Sequence, residues 1–421
     1  MAKTPKIRFK NFNDEWVENK YKNIGQCLSG GTLSYEDLDK NGIYKCILYG
    51  ELYTRYDYII KNIVFRTNKL GNKVIKNDIL FPQSTTVNAI SLISPACMND
   101  DEAQTSGVFA IRPHKNIDGN FITYYTKGNF YQRNKLAKNA QGLTIVHLYY
   151  QSIKDETILI PNLAEQCKIS EFFAKLDKLI ALHQSKFEKL QKIKKSCLQN
   201  LFPQNNQNTP KIRFTSFSKP WETRKFSDTF IFLQNNSLSR AELSNLDGEI
   251  INIHYGDILI KYTEILNIKT NDLTYILDNS IIKKYQASTL QNGDIIIADA
   301  AEDQTVGKCS EITGLTNEVV LSGLHTIPCR PNEKHANGFL GYYMNSNVYH
   351  DQLLPLLQGT KVLSISKSAL QNTDIIYPSN LAEQRKISDF FSKLDKLISL
   401  HQSKFEKLQK IKKSCLQNMF V

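Results

Sequence analysis

Along one stretch of the chain a mostly apolar set of positions recurs at alternating steps of four and three: Ile169, Phe173, Leu176, Ile180, His183, Phe187, Leu190, Lys194, Cys197 and Leu201. That heptad spacing keeps one seam on one helix face and is the pattern of a coiled coil. The seam returns as Ile387, Phe391, Leu394, Ile398, His401, Phe405 and Leu408. Phe172, Leu179 and Ile193 widen the stripe, leaving room for a third contact. The whole segment from Asn162 to Phe202 is written again from Asn380 to Phe420. It differs only at Cys167/Arg385, Glu171/Asp389, Ala174/Ser392, Ala181/Ser399 and Leu201/Met419. The chain is therefore an internal duplication. Asn162 with Glu165, and Asn380 with Glu383, predict capping boxes, and Pro203 ends the first helix. About 40 residues at 1.5 Å each give a rod of roughly 60 Å.

Use of these helices as core packing alone is the plainer account, but the near-identity of the copies favours their pairing with each other. Residues 203–208 between the first rod and the next region span at most about 20 Å. If that region is compact, the second rod starts near the end of the first, which favours antiparallel pairing.

Between the rods the period changes. Short apolar runs bounded by Asn, Asp and Gly predict strands at Ile43–Leu48, Asp78–Phe81, Gly107–Ile111 and Thr157–Ile160. A second set falls at Ile251–Ile253, Asp257–Ile260, Asp294–Ala298, Gly323–Pro328 and Asp374–Tyr377. Phe121–Tyr125 and Phe339–Met344 read as helices. The predicted class is α+β: two globular regions of mixed or antiparallel β with helices, joined by two long antiparallel coiled-coil helices in a pseudo-two-fold repeat. The predicted organisation is a first globular region over 1–159, a helix over 160–203 and a linker over 204–208. A second globular region then covers 209–377 and a second helix 378–421.

The globular regions repeat more loosely. Thr4-Pro-Lys-Ile-Arg-Phe9 with Phe12 and Trp16 matches Thr209-Pro-Lys-Ile-Arg-Phe214 with Phe217 and Trp221, whose tryptophans read as structural anchors. Asn77–Phe81 parallels Gly293–Ile297, and Arg112-Pro113 parallels Arg330-Pro331. Gln141-Gly142 parallels Gln358-Gly359, and Tyr49-Gly-Glu51 parallels Tyr255-Gly-Asp257. Nearly identical rods carrying divergent domains imply one shared task for the rods and different tasks for the domains.

A net charge of +12 points to a polyanionic partner. Much of the charge lies on the rods, however, where a solvated helix face also accounts for it. The eight cysteines show no CxxC and no zinc spacing; Cys197 and Cys415 read as buried seam thiols. The start of the chain has no apolar signal segment and no 18-residue apolar run occurs, so a cytoplasmic, reduced protein without membrane association is expected. No adenine-methylation motif, GxGxxG or Walker lysine is present, and Gly307-Lys308 leads into Cys309. His254 has catalytic chemistry in principle, but packing at a strand end is the better account. No catalytic residue and no metal ligand is assigned.

The repeated order of a KIRFxxFxxxW entrance, a variable domain and a rod opening with NLAEQxxI closely resembles the specificity subunit of type I restriction–modification systems. The strings Tyr49–Thr54 and His254–Ile258 look like recurring strings of that family's recognition domains. The resemblance covers the whole chain. It implies that each globular region is a target recognition domain reading one half of an interrupted site on double-stranded DNA. The rods would set the spacing and dock two methyltransferase subunits, with restriction/translocase subunits completing the complex. No cofactor is expected on this chain; S-adenosylmethionine is implied for the methyltransferase and ATP with Mg for the restriction subunit. Base-edge contacts give such a reader its specificity and phosphate contacts its register. Loops after strands supply the candidates: Arg55, Gln83, Ser84, Thr85, Lys138, Gln141 and Thr144 in the first domain, and Lys261, Asp299, Glu302, Lys308, Thr360 and Lys361 in the second. A stand-alone DNA-binding regulator with a coiled coil is the alternative, distinguished by whether a methyltransferase co-purifies.

Overall fold

In the computed structural model the runs rich in Ile, Val and Tyr form sheets and the heptad segments form single long helices. Residues 3–29, 31–204 and 207–421 are described; residues 205 and 206 of the expected linker lie outside them. The chain divides into two compact units, Met1–Gln184 with Gln402–Val421, and Ser185–His401.

In the first unit a five-stranded sheet runs in the order Gly25–Ser29, Val108–Pro113, Ile79–Pro82, Ala96–Met98, Ile59–Ile60. Its first three pairings are antiparallel and the last is parallel. A four-stranded sheet, Arg66–Thr67, Tyr44–Leu48, Glu102–Ser106, Asn72–Ile75, joins its middle pair in parallel. The second unit repeats the larger sheet as Phe230–Phe232, Thr326–Pro331, Ile295–Ala298, Cys309–Thr313, Ile265–Asn267, with the same sequence of directions. Its smaller sheet keeps the parallel pair, Ile250–Ile253 with Val319–Ser322, but takes its extra strand, Leu243–Ser244, on the opposite edge. One expected strand is a helix: Asp257–Ile260 belongs to Tyr255–Ile260, capped by His254, whose Nδ1 accepts from Gly256 N. Four residues of that run cannot declare a period, and the cap decides.

The long helices are Leu163–Asn200 and Leu381–Asn418. Their expected seam residues are the covered ones. Ile169, Phe173, Leu176, Ile387, Phe391 and Leu394 are buried, and Ile180, His183, Phe187, Leu190, Ile398, His401, Phe405 and Leu408 are half-buried. Cys197 and Cys415 are half-buried rather than buried. At the helix ends the seam residue Leu201 is buried with Phe202, and Leu416 with Met419 and Phe420.

Each unit pairs the start of one helix with the end of the other, and the contacts run antiparallel. In the first unit Phe173 stacks on Phe420 at 5.7 Å, and Asp177 Oδ1 lies 2.6 Å from Lys412 Nζ. In the second, Phe391 stacks on Phe202 at 6.0 Å, and Asp395 Oδ1 lies 2.7 Å from Lys194 Nζ. The seam lysines are therefore partners of seam-side aspartates.

The entrance motif clasps these ends. Ile7 N donates to Asn418 O at 2.8 Å, and Arg8 grips Glu165 through two bonds of 2.7 Å. Ile212 N repeats the first contact at Asn200 O (2.9 Å), and Arg213 holds Glu383 at 2.7 and 2.8 Å. The Ile7 and Ile212 contacts each satisfy an orphan carbonyl at a helix end. Asn162 Oδ1 accepts from Glu165 N and Asn380 Oδ1 from Ala382 N. The expected capping boxes are thus only half made, because the glutamate side chains turn to the arginines. Trp16 and Trp221 are buried in the two cores, Trp221 Nε1 donating to Glu383 at 3.2 Å.

Candidate nucleic-acid interface

The loose repeat noted in the sequence becomes a common framework. Asp78 pairs with Arg112 and Asp294 with Arg330, each at 2.7 Å, pinning the turn before one strand to the end of its neighbour. At the other end of those strands lies a corner with the same main-chain bonds in both units. Gln83 N donates to Gly107 O and Asp299 N to His325 O, both at 3.1 Å. Gln83 O accepts from Leu148 N and Asp299 O from Ile365 N. Gly107 (φ 68°) and His325 (φ 53°) are both left-handed.

A short hairpin rises beside each corner. Gln141 and His147 exchange both main-chain bonds (2.9 and 2.7 Å), as Gln358 and Ser364 do (2.9 and 2.8 Å). Gly142 (φ 110°) and Gly359 (φ 109°) make the turn, where a Cβ would meet a carbonyl at 2.1 and 2.0 Å. This is why the Gln-Gly pair recurs: only glycine fits that turn. Its tips carry Leu143, Thr144 and Ile145 in one unit and Thr360, Lys361 and Val362 in the other, all exposed.

The Tyr-Gly-acid strings complete the corner. Both open short helices, Glu51–Thr54 and Tyr255–Ile260. Glu51 Oε1 pairs with Arg55 Nε at 3.1 Å, and burial raises its pKa. Asp257 is held instead by both terminal nitrogens of Arg240, at 3.2 and 3.1 Å. Arg55 and Lys261 occupy the same place, just past the helix.

In the first unit Arg55, Ser84 and Thr85 line one cleft of about 880 Å³, which also takes in Arg133 and His147. Thr85 is itself buried, its hydroxyl accepting from Val87 N at 3.3 Å. Gln141 and Thr144 are exposed on the neighbouring hairpin, and Lys138 is exposed at the end of helix Phe130–Ala137. In the second unit Thr360, Lys361, Glu302 and Lys261 are exposed and Asp299 is half-buried at the corner. Lys308 points inward: Nζ donates to Leu259 O at 2.9 Å, and burial lowers its pKa. His254 is buried against Tyr255, and burial lowers its pKa.

His325, Leu143, Arg133 and His147 were not singled out from the sequence. Spacing held the signal for the first: His325 precedes Arg330-Pro331 by the same number of residues as Gly107 precedes Arg112-Pro113. Arg133 and His147 come together through tertiary contacts alone, and Leu143 directly follows the recurring Gln141-Gly142 pair. Among the described residues no cluster of His, Cys, Asp or Glu could hold a metal ion, and no helix is long and apolar enough to cross a membrane.

One framework used twice, with different side chains at its exposed corner and hairpin, defines a two-module recognition protein. The chain belongs to the type I restriction modification DNA specificity domain family, whose description matches residues 13–194 and 218–411. It is 22% identical over 378 residues to the type I restriction enzyme MjaVIII specificity subunit of Methanocaldococcus jannaschii, covering 86% of this chain and 84% of that one. Over 139 residues, 32% of this chain and 28% of the relative, it is 33% identical to the StySPI specificity subunit of Salmonella potsdam. Its fold is similar to the crystal structure of the type I restriction–modification S subunit from M. genitalium, with a TM-score of 0.60, 15% identity and 99% of both chains covered.

Proposed function

We infer that this chain is the non-catalytic, sequence-specific DNA-binding subunit of a type I restriction–modification complex. Each globular domain reads one half of an interrupted site, and the long helices act as spacer and as dock for two methyltransferase subunits. Adenine methylation with S-adenosylmethionine then belongs to those partners, and ATP-driven steps to restriction subunits. The observation that carries this reading is the agreement of framework with disagreement of surface: the Asp–Arg pairs, left-handed corners and Gln-Gly hairpins recur, while Gln83/Asp299, Thr144/Lys361 and His147/Ser364 differ at equivalent places. A structural scaffold has no use for that difference; a reader of two different sequences requires it.

Selection of tight-binding duplexes from a random pool by the complex with its methyltransferase subunits tests this. Two short defined segments separated by a fixed, unread gap are expected. A single contiguous consensus, or none, contradicts it.

A further inference from the structure

This inference rests on the reading above and deepens it to a residue. Asp299 is a half-buried carboxylate at the corner, with Lys367 near enough for its charge to act on it and with Glu302 and Lys361 exposed on the neighbouring segments. Its main chain is fully used, N–H to His325 O and C=O to Ile365 N–H. Its side chain is 27% exposed, and Oδ1 lies 3.3 Å from Nδ1 of His325. No described residue donates a hydrogen bond to Oδ2.

His325 is the second half of the argument. It holds a left-handed conformation (φ 53°) at a place where the first domain has Gly107. Few residues other than glycine take that conformation, asparagine, aspartate and histidine among them, and residues held in it collect at functional sites. The ring is set edge-to-face against Tyr255 at 5.2 Å, which fixes it beside the carboxylate. In the first domain the ring has no counterpart: a Cβ on Gly107 would lie 2.7 Å from Tyr49. The left-handed histidine is thus peculiar to the domain whose corner carries an acid.

A carboxylate on a DNA-facing surface is repelled by phosphates and gains only where a donor meets it. On base edges in the major groove the donors are the exocyclic amino groups, N4 of cytosine and N6 of adenine; guanine and thymine present acceptors there. We propose that Asp299, positioned by His325, reads an amino-bearing base in the second half-site, and that Gln83 occupies the equivalent reading position in the first domain. Glutamine both donates and accepts, so the two domains differ at this position in the base they favour.

The test uses the full chain with its methyltransferase subunits and maps methylated sites across a genome. Thermal melting of each variant serves as the fold check. For the wild type, one position of the second half-site requires cytosine or adenine, and the map says which. Asp299→Ala relaxes that position roughly tenfold or more towards guanine and thymine, leaving the first half-site unchanged. Asp299→Asn, nearly isosteric, shifts the same position towards adenine, which a carboxamide can hold through N6 and N7. His325→Gly relieves the backbone and keeps or raises the melting temperature, yet loosens the same base position, which a merely structural histidine would not. An unchanged motif in both Asp299 variants overturns the assignment while leaving the two-domain reading intact. So does loss of methylation by Asp299→Ala while Asp299→Asn keeps a wild-type requirement for cytosine. A wild-type complex that methylates no interrupted site contradicts the underlying reading instead, and this assignment falls with it.

Discussion

Arg8 and Glu165 form a fork-to-fork pair across the first unit, both bonds 2.7 Å, with the glutamate side chain wholly buried. The pair joins the entrance motif to the first turn of the helix beginning at Leu163, which explains why both strings recur together at Arg213 and Glu383. Removing one partner strands a buried charge. Arg8→Ala is expected to destabilise the first unit by about 3 kcal/mol, a fall of roughly 10 °C in its melting temperature. Arg8→Lys should recover little, because an ammonium cannot make the planar double contact. Calorimetry that showed no loss in either variant would remove the pair from the account.

The Lys412–Asp177 pair leads to a prediction about half of the chain. Residues 402–420, which close the first unit, are repeated as 184–202 with Leu201 in place of Met419. A fragment of residues 1–204 therefore carries its own copy of the closing segment and can lend it to a second copy. It is expected to dimerise antiparallel, with Lys194 of each copy meeting Asp177 of the other. Such a dimer, given its methyltransferase, should modify an interrupted palindrome. Sedimentation as a monomer at micromolar concentration would count against this.

Glu311 gives the second unit a pH dependence. Burial raises its pKa to about 7, even though Gly338 and Gly341 donate main-chain N–H groups to it. The folded chain thus holds this proton more tightly than the unfolded one. Its contribution favours folding below the ordinary carboxyl range and is lost as pH rises through about 7. Buried His254 and His335, with lowered pKa values, act in the opposite sense, favouring folding above the ordinary imidazole range. Comparison with Glu311→Gln isolates the first effect. Between pH 5 and 8 the wild type should lose melting temperature relative to the variant, and parallel curves would show that Glu311 does not titrate there.

The recurring Gln-Gly hairpin can be disturbed on one side alone. Gly142→Ala places a Cβ 2.1 Å from Ile145 O at φ 110° and must shift the tip that carries Leu143 and Thr144. Recognition of the first half-site should weaken while the second is read as before. Equal loss at both half-sites, or none, would contradict the role given to the hairpin.

The helices were legible because a seven-residue period sustained from Ile169 to Leu201 admits few other structures. The correspondence of the domains was legible too, since Arg112-Pro113 and Arg330-Pro331 mark an ion pair that both sheets need. Helix Tyr255–Ile260 was misread because Asp-Ile-Leu-Ile satisfies either period, and the cap at His254 lies outside the run. Lys308 is a candidate DNA contact by sequence, yet its amine turns inward to Leu259 O. The recognition corner was the least legible part. Asp299, His325 and the hairpin meet through pairings between distant strands, and nothing local marks that meeting.

The most direct test of the central claim exchanges one domain and reads both halves of the site. Replacing residues 17–158 with the equivalent region of a related specificity subunit, then mapping methylated adenines genome-wide, should change one half of the interrupted motif. The other half and the gap should stay as they were. A map in which both halves change together, or neither does, would contradict the assignment of one domain to one half-site.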